Sequence, residues 1–187
     1  MSEHRPVLLA MDFQEVIVGR GNGGAALANV NRAIAAARAA GVPVMFVRVA
    51  FRPGYPEVSA NNAVFGRIGA AGDGMTQDSP ATQLHADLDV RPGDPVILKR
   101  RVSAFSGSDL DVLLRGAGAD ALILAGLSTS GVVLSTLRQA ADLDYALTVL
   151  SDACADADEE VHRVLTERVF PRQATVTTAD DWIRTLA

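Results

Sequence analysis

Apolar residues occur along the chain in six short runs bounded by turn-forming residues, and several of these runs are apolar on both faces. This pattern is typical of a parallel sheet that helices cover on both sides, because an antiparallel sheet with one wet face would alternate apolar and polar residues. The six predicted strands span 6–12, 42–50, 94–100, 119–127, 145–153 and 173–179.

Between the strands, apolar residues recur at the three- and four-residue spacing of a helix with one buried face. These stripes are Leu27/Val30/Ile34/Ala37, Leu110/Leu113/Leu114/Ala117, Val133/Leu137/Ala140 and Val161/Val164/Leu165. Three capping pairs predict helix starts, namely Ser108 with Asp111, Asp156 with Glu159 and Thr178 with Asp181. Gly41 predicts the end of the first long helix.

Strand and helix thus alternate about six times, which predicts an α/β fold. We expect one domain over 1–187, a three-layer α/β/α structure with a Rossmann-like six-stranded parallel sheet. The irregular segment 51–80 is predicted to be a lid, since such long connections in compact domains are usually functional or disordered. The G-x-G-x-x-G match over 19–24 does not directly follow the first strand, so it predicts a flexible connection rather than an NAD site.

The composition and charge of the chain limit the classes of partner that we expect. The 187 residues carry a net charge of −5 and no block of Lys or Arg, which argues against nucleic acid and anionic membranes. No segment approaches the ~20 apolar residues of a membrane span. A single cysteine fits a reducing compartment, so we expect a cytoplasmic protein that acts on a small molecule.

Polar residues at the predicted carboxyl ends of strands form the candidate site, because ligands bind there in open α/β sheets. Asp12 ends the first strand, Lys99 ends the third, and 128–131 follow the fourth at a helix start. Together they could transfer protons and stabilise a developing anion. Singly, each has an ordinary explanation: a turn cap, a solvated strand end or a plain N-cap.

Four blocks of the chain resemble the isochorismatase-like, or cysteine hydrolase, superfamily: "VLLAMDFQ", "DPVILKRRVSAFSGSDL", "LILAGLSTSGVVLSTLRQAADLDYALTVLSDACAD" and "VHRVLTERVFPRQATV". The resemblance implies the isochorismatase-like hydrolase fold, with a catalytic Asp, Lys and Cys at the strand ends. Asp12 falls on the Asp and Lys99 on the Lys. It also implies a homo-oligomer, either a dimer or a tetramer, in which a neighbouring chain can complete the lid.

The position of the nucleophilic thiol, six residues after Gly126, is occupied by Val132. A hydrocarbon side chain cannot attack a carbonyl, so covalent amidase chemistry of the usual kind is excluded. Cys154 is interpreted as a buried, inert thiol. Ser128 and Ser130 remain open as poor alternatives, since a hydroxyl needs an adjacent base and the G-x-S-x-G elbow is absent.

The resemblance includes a branch without the thiol, the isochorismatases, which hydrolyse a vinyl ether by protonating it. Asp12 would be the acid, and Lys99 would orient it although a nearby cation favours the carboxylate form. The resemblance further implies a cis peptide before Ser128 and an anion-binding corner formed by the backbone N–H groups of Ser128 and Val132.

Other candidate residues surround this site. Four are predicted to bind substrate, with a solvated face as the alternative for each arginine: Arg52, Tyr55, Arg101 and Phe105. Arg67 is a further candidate on the predicted lid. His85 and His162 are interpreted as surface or packing residues, so no zinc and no cofactor are predicted.

The functional hypothesis is an isochorismatase-like hydrolase that lacks the cysteine. It would act on a small molecule, for which a carboxylated compound is one option, by acid–base chemistry of Asp12 and Lys99. Two alternatives stay open: an amide or C–N hydrolase with another nucleophile, and a catalytically silent ligand-binding subunit of the same fold.

Overall fold

Six parallel strands form the sheet of this protein, for which a computed structural model describes residues 4–19 and 23–186. The strands are β1 Pro6–Met11, β2 Val44–Val49, β3 Val96–Lys99, β4 Ala121–Leu127, β5 Ala146–Ala155 and β6 Thr175–Thr177. Their order is β3-β2-β1-β4-β5-β6, and every neighbouring pair is parallel. All six predicted strands and the parallel sheet are confirmed.

Helices cover both faces of this sheet. They are α1 Glu15–Val18, α2 Gly23–Ala39, α3 Leu110–Gly116, α4 Leu134–Asp142, α5 Glu159–Val164 and α6 Ala179–Arg184. One apolar cluster joins α3 and α4 to one face, and a second joins α2 and α6 to the other. Strand β1 contributes residues to both clusters, since Leu9 packs in the first and Leu8 in the second. Because neighbouring strand residues point to opposite faces, a run that is apolar throughout marks a strand buried on both.

Two features of the helix ends agree with the prediction. The Thr178 hydroxyl caps α6 by accepting the N–H of Asp181 at 3.1 Å. Gly41, with φ of 73°, follows the last turn of α2 in the left-handed conformation that glycine adopts without strain.

The other two predicted capping pairs are wrong, because their side chains are used elsewhere. The Ser108 hydroxyl donates to the carbonyl of Ala104 at 2.6 Å, and α3 has Asp109 as its N-cap. The Asp156 carboxylate accepts the N–H of Ser130. The N-cap of α5 is Asp158, two residues further along the chain. A tertiary contact therefore overrides the local pattern at Asp156, whereas Ser108 bonds within its own segment and also accepts the N–H of Leu110 at 3.3 Å.

The segment 51–80 folds back between β2 and β3 and is partly ordered as 3₁₀ turns over Ile68–Met75 and Pro80–Thr82. Phe51 anchors it: the N–H of Phe51 donates to the carbonyl of Met75 at 3.0 Å, and its ring lies 5.2 Å from that of Phe65. Residues 20–22 of the glycine-rich match lie outside the described residues. Within the described part of the chain, the helices are too short or too polar to cross a bilayer.

Candidate active site

Asp12 and Lys99 meet at the carboxyl edge of the sheet. Asp12 follows β1 and Lys99 ends β3, and these strands flank β2 on either side. The Lys99 Nζ lies 2.8 Å from the Asp12 Oδ2, with both side chains buried, 2% and 6% exposed respectively. The contact predicted between these two residues is present.

Lys99 is held by three acceptors. Besides Asp12, its ammonium donates to the carbonyls of Arg101 at 3.1 Å and Val102 at 3.0 Å. An ammonium has three N–H donors, so all of them are used within the protein. Lys99 therefore orients Asp12 and keeps no donor for a ligand.

The backbone around Asp12 is fixed by Gln14, whose role the sequence analysis missed. Asp12 has a φ of 60°, an uncommon conformation for a residue with a side chain. Two residues on, the buried Gln14 amide accepts the N–H of Val49 at 2.8 Å and donates to the carbonyls of Val49 at 3.0 Å and Thr82 at 2.7 Å. These bonds join the end of β1 to β2 and to the returning segment. Gln14 lies in the quoted "VLLAMDFQ" block, but an amide gives no sequence signal of where it will bond.

The second carboxyl oxygen of Asp12, Oδ1, is buried and has no hydrogen-bond partner among the described residues. Burial raises the pKa of Asp12, because desolvation disfavours the carboxylate, while the Lys99 ammonium opposes that shift. Burial thus provides the offset that an acid role for Asp12 requires. A buried polar atom without a partner is costly and marks a place where a substrate or water can bind.

Val132 lies beside this pair, on the turn between β4 and α4. The Leu127–Ser128 peptide is cis, as the resemblance implies, and Thr129–Val133 forms a π turn that leads into α4. Gly126 lets the turn approach β1, since a Cβ there would lie 2.8 Å from the Met11 carbonyl oxygen and 3.3 Å from the Val132 Cγ1.

Two amides of this turn are already bonded. Ser130 donates its N–H to the Asp156 carboxylate at 2.7 Å, and Gly131 donates to the Ser128 hydroxyl at 3.1 Å. An anion-binding corner at the N–H groups of Ser128 and Val132 stays a prediction.

A cavity of about 390 Å³ brings the predicted catalytic positions together. Asp12, Lys99, Ser128 and Val132 all line it. The rest of the lining is largely apolar: Val16, Ile17, Val49, Val64, Phe65, Met75, Val102, Leu127, Gly131, Ala155, Asp156 and Ala157. Residues of the 51–80 segment cover part of this cavity, in agreement with its predicted place over the site.

The arginines predicted to bind substrate lie outside this lining. Arg52 pairs with Glu57, their nearest atoms being 2.6 Å apart, and Arg101 donates to the Glu57 carbonyl at 2.8 Å. Both border a separate shallow groove beside β3, and Arg67 is exposed. Glu57 and the path of the segment 51–80 draw these side chains away from Asp12, a correction to the prediction.

Tyr55 and Phe105 are also absent from the lining. The Tyr55 hydroxyl donates to the Gly72 carbonyl at 2.6 Å and accepts the Met75 N–H at 3.2 Å, which ties the segment 51–75 together. Phe105 is buried in the core, with its ring 6.3 Å from that of Tyr145. The structure gives both residues a packing role.

Cys154 is buried in the core on β5, opposite Gly126, and is not part of the cavity lining. Burial raises the pKa of its thiol to about 12. Ser130, the alternative hydroxyl, is exposed and also lies outside the lining. His162 lies 2.8 Å from the Thr129 hydroxyl through Nδ1, and the described residues contain no His/Cys/Asp/Glu group able to hold a metal ion.

Comparison with known proteins gives the family. Residues 6–181 match the family model "Isochorismatase domain". The chain is 34% identical to the uncharacterized isochorismatase family protein YecD of Escherichia coli O157:H7, over 96% of this chain and 95% of that protein. It is 36% identical to the ureidoacrylate amidohydrolase RutB of Pseudomonas syringae pv. syringae, over 73% of this chain and only 60% of RutB.

Solved structures agree with this assignment. An isochorismatase family protein from Burkholderia thailandensis superposes with a TM-score of 0.86 at 29% identity, over 97% of this chain and 95% of that one. N-carbamoylsarcosine amidase from Thermoplasma acidophilum gives a TM-score of 0.76 at 27% identity, over 94% and 97%. Because the family model spans nearly the whole chain and the relatives share its fold, the protein belongs to the isochorismatase family of hydrolases.

Proposed function

We propose that this protein hydrolyses a small molecule of the vinyl ether type, with Asp12 as the acid and water as the nucleophile. The observation that carries the proposal is the buried Asp12 carboxyl, paired with Lys99 through one oxygen and unbonded at the other, beside a valine where a thiol would lie. An acid at this position needs no partner nucleophile on the protein.

Asp12 takes part in two proton transfers of the proposed reaction. Asp12 donates its proton to the terminal vinyl carbon, and the double-bond electrons form the new C–H bond, which leaves an oxocarbenium ion at the ether carbon. Water adds to that carbon and returns a proton to Asp12. The resulting hemiketal breaks its C–O bond as its hydroxyl proton passes to the departing oxygen, which releases an alcohol and a carbonyl compound. Lys99 stabilises the carboxylate that exists between the two transfers.

A second candidate is hydrolysis of an amide or another C–N bond. The similarity to RutB and to N-carbamoylsarcosine amidase supports it, since the names of both proteins describe the cleavage of C–N bonds. Without a thiol at position 132, Asp12 would act as a base that activates water for direct attack on the carbonyl.

The experiment compares the wild type with Asp12→Asn on a panel of vinyl ethers and a panel of amides. We expect the substitution to lower kcat/KM by about 10²- to 10⁴-fold, the usual contribution of a general acid or base. Asp142→Asn, an exposed change at the far end of α4, is the control that removes the same charge. Turnover that survives Asp12→Asn would exclude the proposed role. Failure of the wild type to turn over either panel would favour a silent subunit.

The pH profile separates the two reactions. An acid must be protonated, so kcat/KM for a vinyl ether should fall as pH rises through the raised pKa of Asp12. A base must be ionised, so kcat/KM for an amide should rise over the same range. A profile of kcat/KM against pH on the best substrate decides between them.

A further inference from the structure

Asp156 is a second carboxylate in the cavity lining, and the proposed hydrolysis does not use it. It follows β5, and its Oδ2 accepts the N–H of Ser130 at 2.7 Å. The side chain is half-buried, so it faces both the cavity and solvent.

The carboxylate of Asp156 has no ion-pair partner among the described residues that line the cavity. The described lining contains two carboxyl groups, Asp12 and Asp156, one ammonium, Lys99, and no arginine. The three donors of Lys99 are taken by Asp12 and two carbonyls, so its ammonium has no N–H left for a bound carboxylate. The nearby His162 does not compensate, because burial lowers its pKa and favours the neutral ring.

The cavity therefore presents two polar groups that can bind a ligand, within a largely apolar lining. The Asp12 Oδ1 is buried without a hydrogen-bond partner, while Asp156 offers a negative charge. Phe65, Met75 and Ile17 are among the apolar side chains of the same lining. A carboxylate bound here would meet the charge of Asp156, and no side chain of the described lining has a free cationic N–H donor to offset that repulsion.

We propose that this site selects small substrates with an apolar body and an amine or another hydrogen-bond donor that reaches Asp156, and that it discriminates against carboxylates. The inference rests on the proposed function, in that it takes the Asp12 cavity as the substrate site. It replaces the carboxylated substrate that the sequence left as one option.

The test measures binding of three probes that share one body: benzylamine, benzyl alcohol and benzoate. Calorimetry or ligand-detected NMR on the wild type should give benzylamine the lowest Kd and benzoate a Kd at least about 10-fold higher, because the change from an ammonium to a carboxylate replaces one attraction to Asp156 by one repulsion. Asp156→Asn keeps an oxygen that can accept the Ser130 N–H and should reduce that ratio to less than about 3-fold. Asp142→Asn should leave the ratio unchanged.

Equal Kd values, tighter binding of benzoate, or no detectable binding of benzylamine to the wild type would each overturn the proposal. A preference for benzylamine over benzoate that persists in Asp156→Asn would also overturn the proposal. Since the readout is binding rather than turnover, the preference can fail while the acid role of Asp12 stands, and the converse also holds.

Discussion

The contact between Asp12 and Lys99 places two charges in the protein interior, where each depends on the other. Removing one partner of such a pair typically costs about 3–5 kcal/mol, because the remaining charge is left buried and unpaired. A carboxyl group can avoid that cost by taking up a proton, and burial already raises the pKa of Asp12.

Lys99→Met is accordingly expected to lower the free energy of unfolding by about 3–5 kcal/mol at pH 8. In this variant the pKa of Asp12 should rise further, so the folded state binds a proton more readily than the unfolded one, and the loss should shrink as pH falls. Urea unfolding at pH 8 and pH 5 measures the difference. A loss that is independent of pH would mean that Asp12 is not left charged and unpaired.

The single thiol gives a second prediction at this scale. Because burial raises the pKa of Cys154 to about 12, iodoacetamide at pH 8 should label the native protein very slowly and the urea-unfolded protein quickly. Val132→Cys, which places a thiol in the cavity, should be labelled in the native state. Mass spectrometry of the labelled peptides measures both. Fast labelling of Cys154 with loss of activity would restore it as a candidate nucleophile.

At the scale of the elements, β4 approaches β1 closely at Gly126. Gly126→Ala would push a methyl group against the Met11 carbonyl at 2.8 Å, and backbone cannot move aside easily. We expect a loss of about 1–3 kcal/mol and a displaced turn at residue 132. Thermal unfolding and turnover should both fall. Gly24→Ala is the control, since a Cβ there meets nothing within 4 Å and alanine favours the helix α2.

The Tyr55 hydroxyl ties two parts of the segment 51–80 together. Tyr55→Phe removes a donor to Gly72 and an acceptor from Met75, at a cost of about 1 kcal/mol each. Since Met75 lines the cavity, we expect faster amide exchange at Met75 and a KM raised several-fold with kcat less affected. Tyr145→Phe, on the other tyrosine of the chain, is the matched control. Unchanged exchange and KM in Tyr55→Phe would show that the segment is ordered by its apolar contacts alone.

For the molecule as a whole, the sheet was predictable because burial on both faces leaves a direct mark on the sequence. The central strands β1 and β4 carry no polar side chain, and in β1 Leu8 and Leu9 pack in opposite clusters. The starts of α3 and α5 were not predictable to the residue, because Ser108 donates to the preceding turn at Ala104 and Asp156 bonds to Ser130 in a distant part of the chain.

The candidate site was predictable where its residues lie at strand ends and not where they lie on irregular segments. Strand ends fix where Asp12 and Lys99 lie, so their contact followed from the order of the strands. Long side chains on an irregular segment carry no such constraint, and Arg52 and Arg101 contact Glu57 instead. Self-association stays a prediction, which analytical ultracentrifugation of the purified protein can test.

The anchoring of Lys99 has a consequence for how this family diversifies. Its ammonium is fastened to Asp12 and to main-chain carbonyls, and none of these contacts passes through the side chain at position 132. On the mechanism that we propose, exchange of that residue would therefore replace a covalent route by a water-based one and leave the contact between Asp12 and Lys99 in place.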